Sequence, residues 1–552
     1  MAQPATLAAL PEEILLQILI YVSNSTTDSL AVLHTSKRLS RIIKPLLYRT
    51  ILLPARKVCY AYGSKGVQDR ILSVASNIDF IAQYIQDFGL CRGETALKTP
   101  IRGIEYQVVS GIQSLLTKVP PGQLLSFRWD IHARCPAKLI HHLHDHQRNL
   151  ETLIIYHRSF NHFVQPPYFT FNLLNFKNLC HLCIYGYMPK PEYERLTAQL
   201  PTILQTLKTL VVVQLRPGHH LQQAQWPSRF IDRMTGRSPK SYELIYPSLE
   251  TFAYDNNDAF TISLFAALSL ESISQLPNLR ALHSRFFLTT RLIVNFDPRV
   301  PILLQTLEVW WCNMRLLSKF LLAFQGLVNL DILVPQPEDF IDAAPILHHA
   351  TSLRSLALWK VRSIATQGPF MVPMPHSLMM SLGKGLQKLE EFCATLHPDY
   401  DPFKEHLFPN LKLLWAYNSD TRDLSPPDIM PKHPWMPPQL KRAKDRPEWT
   451  RKNTLLQRDL SAYPDLTIPK TLKAVAFGHF QRVFGGSIQV NGVFHREDVD
   501  DEVGESGNNI ISWRRIAMGD LVKKYPDLLS PYEATFGVPL MERYAPGPGF
   551  SV

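Results

Sequence analysis

The sequence predicts an α/β chain: a three-helix N-terminal unit, then a curved solenoid with parallel inner strands and outer helices. Three observations predict it. The run LPEEILLQILIYV, residues 10–22, has helical spacing yet is apolar on more than one side. An L-x-x-L-x-L pattern recurs along the chain, most copies about 22 to 30 residues apart. Between copies lie segments with helical spacing, such as SLFAALSLESISQLPN ahead of Leu279. The chain has 552 residues, 45% of them apolar and 19% charged, which suits a large folded core rather than disorder.

The first helix starts at Pro11, whose missing N–H is not needed in a first turn. Glu12 and Glu13 suit the positive end of the helix dipole. Ile14, Leu15, Ile18, Leu19 and Val22 form one face, and Leu10, Leu16 and Ile20 fall outside it. Surface helices usually keep those angles polar, so something must cover a second side. SNSTTDS, residues 23–29, reads as a polar turn. Asp28 is expected to cap a second helix holding Leu30 and Leu33. Ser36 is expected to cap a third, holding Leu39, Ile42 and Ile43 and ended by Pro45. LLYRTILL then bends into a strand-like segment. A unit of about 40 residues cannot stand alone without metal, disulfide or partner.

Strands are expected at LLSFRW (Leu124), LETLII (Leu150), LCHLCI (Leu179), LKTLVV (Leu207), LETFAY (Leu249) and LRALHS (Leu279). They continue at LQTLEV (Leu304), LVNLDI (Leu327), LRSLAL (Leu353), LKLLWA (Leu411) and LKAVAF (Leu472), with weaker copies IRGIEY (Ile101) and LEEFCA (Leu389). Each L-x-L makes a short strand with its leucines on one face. One repeat cannot bury that face, but a stack can. One copy, LQTLEVWWCN, continues into Cys312 and Asn313. The expected organisation is a helical unit over 8–53, a helical linker or cap over 54–99, the solenoid over 100–480 and a closing cap over 481–552. Residues 421–452 carry seven prolines and eight basic residues, and they read as an extended inserted loop. REDVDDEVGESGNN, residues 496–509, reads as a flexible acidic loop. ISWRRIAMGDLVKKYPDLL reads as one or two closing helices.

The run Leu10-Pro11-x-Glu13-Ile14-Leu15, then Ile18, Val22, Leu30, Leu33, Ser36-Lys37, Leu39, Pro45 and Leu47-Tyr48, resembles the F-box. It departs from the pattern at Leu39, where many members carry an aromatic residue, and in its long polar turn. The resemblance implies a Skp-family adaptor as partner, and through it a cullin ubiquitin ligase. It assigns the adaptor contact to Leu10, Pro11, Ile14, Leu15, Ile18, Leu33 and Lys37. With the repeats included, the chain is similar to F-box proteins carrying a leucine-rich-repeat solenoid. That implies a non-catalytic adaptor presenting a target protein for ubiquitination. The rival expectation is a repeat scaffold that binds protein or nucleic acid and has no ligase role.

No G-x-x-x-x-G-K-[ST], H-E-x-x-H, G-x-S-x-G or EF-hand motif occurs, so no enzyme activity and no cofactor are expected. His142 and His146 in HHLHDH are spaced i, i+4 but fall on a helix expected to be exposed. Cys180 and Cys183 lack a second pair and would point to opposite strand faces. No metal site is expected from either. Aligning the repeats puts Tyr156, Tyr185, Trp310, Trp359 and Tyr417 at one outward strand position, with Asp130, Asp255 and Arg285 at the same place in other copies. Exposed aromatics favour binding, so these five are the expected target contacts; the alternative is that the inserted loops cover them within the same chain. The net charge of +11 is spread along the chain rather than clustered, which argues against nucleic acid. No apolar run is long enough for a membrane span, and MAQPATLAAL lacks a basic leader region. Seven scattered cysteines fit reduced thiols in an intracellular protein, in cytoplasm or nucleus.

Overall fold

The computed structural model describes residues 10–22, 26–54, 81–91, 106–129, 135, 137–157, 172–186, 190–214, 245–255, 270, 272–284, 289–310, 312–334, 339–364, 368–396, 407–417, 471–479, 489–497 and 512–516. The chain divides into two compact units. Met1–Ala224 with Leu244–Leu270 make up most of the first, and Glu271–Leu540 most of the second.

The first unit opens with α1 (Glu12–Val22), α2 (Thr26–Leu33) and α3 (Lys37–Arg49). Ser36 caps α3, accepting the Leu39 N–H at 3.1 Å. Two expectations change here. Asp28 lies in the first turn of α2 rather than at its cap, because the helix starts at Thr26. Pro45 sits inside α3, which runs on to Arg49. The proline removes the N–H that would bond the Arg41 carbonyl, but both residues are exposed, so water can serve that carbonyl.

From Arg49 the chain passes directly into β1 (Thr50–Pro54), which pairs in parallel with β2 (Asp87–Cys91). The sheet thus begins earlier than the leucine pattern predicts, and β2 is a strand inside the stretch read as a helical linker. It continues in parallel through β3 (Ser126–Trp129), β4 (Thr152–His157), β5 (His181–Gly186), β6 (Thr209–Gln214) and β7 (Thr251–Asp255). The weak copy at Ile101 yields no described strand: Tyr106 already belongs to the helix Tyr106–Lys118, and residues 101–105 lie outside the described ones. Alternation puts Phe127 and Trp129, Leu153 and Ile155, Leu182 and Ile184 on one face, all buried.

The strands start under one repeating rule. The Leu125 carbonyl accepts both Glu151 N–H and Thr152 N–H; the Glu151 carbonyl does the same for Cys180 and His181, and the Cys180 carbonyl for Lys208 and Thr209. Side chains add to this ladder. Gln147 is wholly buried; its Oε1 accepts the Leu124 N–H at 3.0 Å and its amide donates to the Val119 and Pro120 carbonyls.

The second unit repeats the scheme. Parallel strands β8 (Ala281–Ser284), β9 (Thr306–Trp310), β10 (Asn329–Val334), β11 (Ser355–Ile364), β13 (Glu391–Thr395), β14 (Leu413–Tyr417) and β15 (Ala474–His479) follow one another. β12 (Gly368–Met371) folds back antiparallel on the end of β11. Arg280, Gln305, Val328, Arg354, Glu390 and Lys412 supply the doubly accepting carbonyls. Asn313, singled out in the sequence, caps the helix Met314–Leu321 by accepting the Leu316 N–H at 3.1 Å. Ahead of Leu279 the described residues, 270 and 272–278, include a single turn at Ile273–Gln275 capped by Ser272; residues 263–269 and 271 lie outside the described ones.

β14 pairs directly with β15, so the proline-rich segment is an insertion between adjacent strands; residues 421–452 themselves lie outside the described ones. Beyond β15 the pairing turns antiparallel, through β16 (Gln489–Glu497) and β17 (Ser512–Ile516). This corrects the expected closing helix at its start: SWRRI is a strand. A paired strand satisfies the open edge that β15 would otherwise leave. Arg496 and Glu497, placed in the acidic loop, end β16, and residues 498–509 lie outside the described ones.

Candidate functional site

The three N-terminal helices close on a small core. Leu15, Leu19, Leu39, Ile42 and Ile43 are buried together, with Leu10, Val22, Val32, Leu33 and Leu46 packed partly against them. Arg38 ties the entry of α1 to α3 by donating to the Leu10 carbonyl at 2.9 Å. Arg41 and Glu12 pair at 3.0 Å on the exposed side.

Outside this core an apolar surface remains. Ile14 is 42% exposed, Leu16 41%, Ile20 45% and Leu30 44%. At 100° per residue, Ile14 flanks the buried Leu15–Leu19 side of α1, and Leu16 and Ile20 flank its other edge. So surplus exposed apolar residues exist, as expected from the sequence, but they lie on both flanks of the buried side and their membership changes. Leu15, expected as an adaptor contact, is wholly buried in the intramolecular core and unavailable to a partner. Leu10, Ile18 and Leu33 are half-buried, and Pro11, Ile14 and Lys37 are exposed. Leu16, Ile20 and Leu30 were not among the expected contacts; the signal for Leu16 and Ile20 was that they fall on helix angles normally kept polar.

The aromatic row has a mixed outcome. Strand register does align its members: Tyr156 with Tyr185, and Trp310 with Leu333, which in turn aligns with Trp359. Tyr417 aligns with Thr395 on β13. Alternation puts Trp359 on the face opposite the leucines, with Ser355 and Ala357. Yet Trp359 is only 2% exposed, which corrects the expectation that it stands open to a target. The side chains of Tyr156, Tyr185, Trp310 and Tyr417, like residues 130 and 285, lie outside the described ones. On the same face Arg128, Cys183, Glu308, Cys393 and Trp415 are also buried, while Ser126, His181 and Asn329 at strand starts are half-buried.

That face also holds a buried row of titratable side chains that was not expected from the sequence. His283 Nδ1 lies 3.1 Å from Glu308 Oε2, and Glu308 aligns with Asp331 on the next strand. A charged residue between strand leucines, as in LRALHS and LQTLEV, was the available signal.

In the histidine and cysteine clusters only His144 and Cys183 are buried; His141 and His146 are exposed, and His142 and Cys180 are half-buried. His142 Nε2 lies 2.8 Å from the Leu116 carbonyl and its ring packs on His146, centroids 4.7 Å apart. His144 accepts the Asn172 N–H, and burial pushes it down to about 4. Burial pushes the Cys183 thiol up to about 12, while Cys180 is only part-buried. Among the described residues no group of three or more His, Cys, Asp or Glu side chains could hold a metal ion. Among them, too, no helix is long and apolar enough to cross a membrane.

Compared with known families, residues 7–54 match the F-box-like family. The match spans α1 to α3 and β1. No curated protein matches the chain. The chain therefore carries an F-box-like domain at residues 7–54, and each of its two units holds a run of parallel strands.

Proposed function

We propose that this protein is a non-catalytic substrate-recognition adaptor. Its F-box-like helices dock on a Skp-family protein, which joins it to a cullin ubiquitin ligase. The parallel sheet is an irregular leucine-rich-repeat solenoid that holds a target protein within reach of ubiquitin. Its contribution to the reaction is raised effective concentration, without side-chain chemistry.

One observation carries the reading. An F-box-like unit with a closed core of its own still leaves Ile14, Leu16, Ile20 and Leu30 more than 40% exposed. Apolar residues left exposed on both flanks of a small helical unit favour a protein partner. The repeat reading rests on a described strand at every leucine pattern but the weak one at Ile101, and on the doubly accepting carbonyls that recur at most parallel strand starts. It places the protein inside the cell, where the ligase works.

Co-expression with a Skp-family adaptor, followed by size-exclusion chromatography, tests the proposal. A stable stoichiometric complex is the expected result. Failure of the intact, folded chain to bind leaves the rival reading, a repeat scaffold without a ligase role.

A further inference from the structure

α3 ends at Arg49 and β1 begins at Thr50, so no linker separates the helical unit from the sheet at this junction. Three contacts gather there. Thr50 Oγ1 donates to Asp87 Oδ2 at 2.9 Å. The Gln86 N–H donates to the Arg49 carbonyl at 2.8 Å. Arg49 Nε lies 3.9 Å from the same Asp87 oxygen, buried and without a hydrogen-bond partner. Thr50 and Asp87 are register partners, so their side chains leave the sheet on the same face.

Backbone pairing alone would hold β1 on β2. It would not fix how α3 is rotated about the bond that enters the sheet. A side-chain bond at the first strand position does, because it anchors the residue next to the helix end. The carboxylate is an expensive choice for this place. Its side chain is only 18% exposed, and burial raises its pKa against the opposing pull of Thr50 and Arg49. Unless it holds something, an apolar residue would be cheaper there.

We infer that Asp87 is a positioning residue: as acceptor for the Thr50 hydroxyl, it sets the orientation of the F-box-like helices on the sheet. In functional terms this rests on the adaptor reading above. A target held by the sheet would then stand at a set angle to whatever docks on α1 and α2. The orientation itself does not depend on any partner.

The test uses the full chain without adaptor, with spin labels carried on non-natural ketone residues at positions 17 and 148. Both positions are exposed, one on α1 and one beside the start of β4. The expected result is a narrow distance distribution that broadens in Asp87→Ala and stays narrow in Asp87→Asn, whose amide oxygen still accepts from Thr50. Adaptor binding, measured separately, is expected to be the same in all three. An Asp87→Ala distribution as narrow as the parent's overturns the inference. Equal broadening in Asp87→Asn also overturns it, since the acceptor would then not be the working group. If Asp87→Ala loses its cooperative melting transition, Thr50→Val removes the donor instead, and the same two outcomes apply.

Discussion

Ile14 and Leu15 are neighbours in α1 with opposite fates: Leu15 is wholly buried against α3, and Ile14 is 42% exposed. A step of 100° around the helix separates a structural residue from a candidate contact. Leu15→Ala is therefore expected to act on folding, at a cost of about 2–5 kcal/mol. Thermal unfolding followed by far-UV circular dichroism checks it. An unchanged melting curve would contradict the packing described for this core.

The Gln147 clamp makes a second case. Its side chain is wholly buried and satisfies the Leu124 N–H and two carbonyls, so Gln147→Leu strands all three groups. A loss of about 1–3 kcal/mol is expected. The denaturation midpoint should fall, and the Leu124 amide should exchange faster with solvent. Wild-type exchange at Leu124 in the variant would remove the clamp from the account.

Much of this fold could be read from the sequence. Leu153 and Ile155, or Leu182 and Ile184, announce their strands because period two and repeat spacing agree. Ser36 announces its cap by chemistry that needs only local structure. What could not be read depends on distant packing. Ile14 and Leu15 both belong to the same apolar stripe, and only contact with Leu39 and Ile43 decides which is buried. DFGLC lacks the leucine pattern, and its strand exists because β1 and β3 flank it. SWRRI suits a helix locally, but pairing with β16 prevails. For Trp359 the face could be read, but whether it stands open or is covered within the chain could not, since periodicity says nothing of what lies over a strand.

Trp359 follows from that difference. At 2% exposure it should behave as a core residue, so Trp359→Ala is expected to cost about 3–5 kcal/mol. An exposed target contact would instead leave stability nearly unchanged. Chemical denaturation of the purified variant separates the two.

Acid should weaken the protein through two buried histidines. Burial pushes both His144 and His349 down to about 4 from 6.5. Between those values the unfolded chain binds protons that the folded chain refuses. Stability is thus complete above pH 6.5 and falls as pH drops toward 4, by at most about 1.4 kcal/mol per pH unit for each histidine. Melting temperatures across pH 4 to 7 check the slope. His144→Gln should flatten part of it; an unchanged slope in that variant would show that other groups set the acid limit.

The central claim is that the exposed apolar residues of α1 and α2 dock on a Skp-family adaptor. Calorimetric titration of the purified chain against that adaptor, with Ile14→Asp beside the parent, tests it most directly. Ile14 lies outside the helical core, so the variant is expected to keep the parent's circular dichroism. Its affinity is expected to fall by about 2 kcal/mol or more, roughly thirtyfold in Kd. Equal affinity of the folded variant and the parent would contradict the claim.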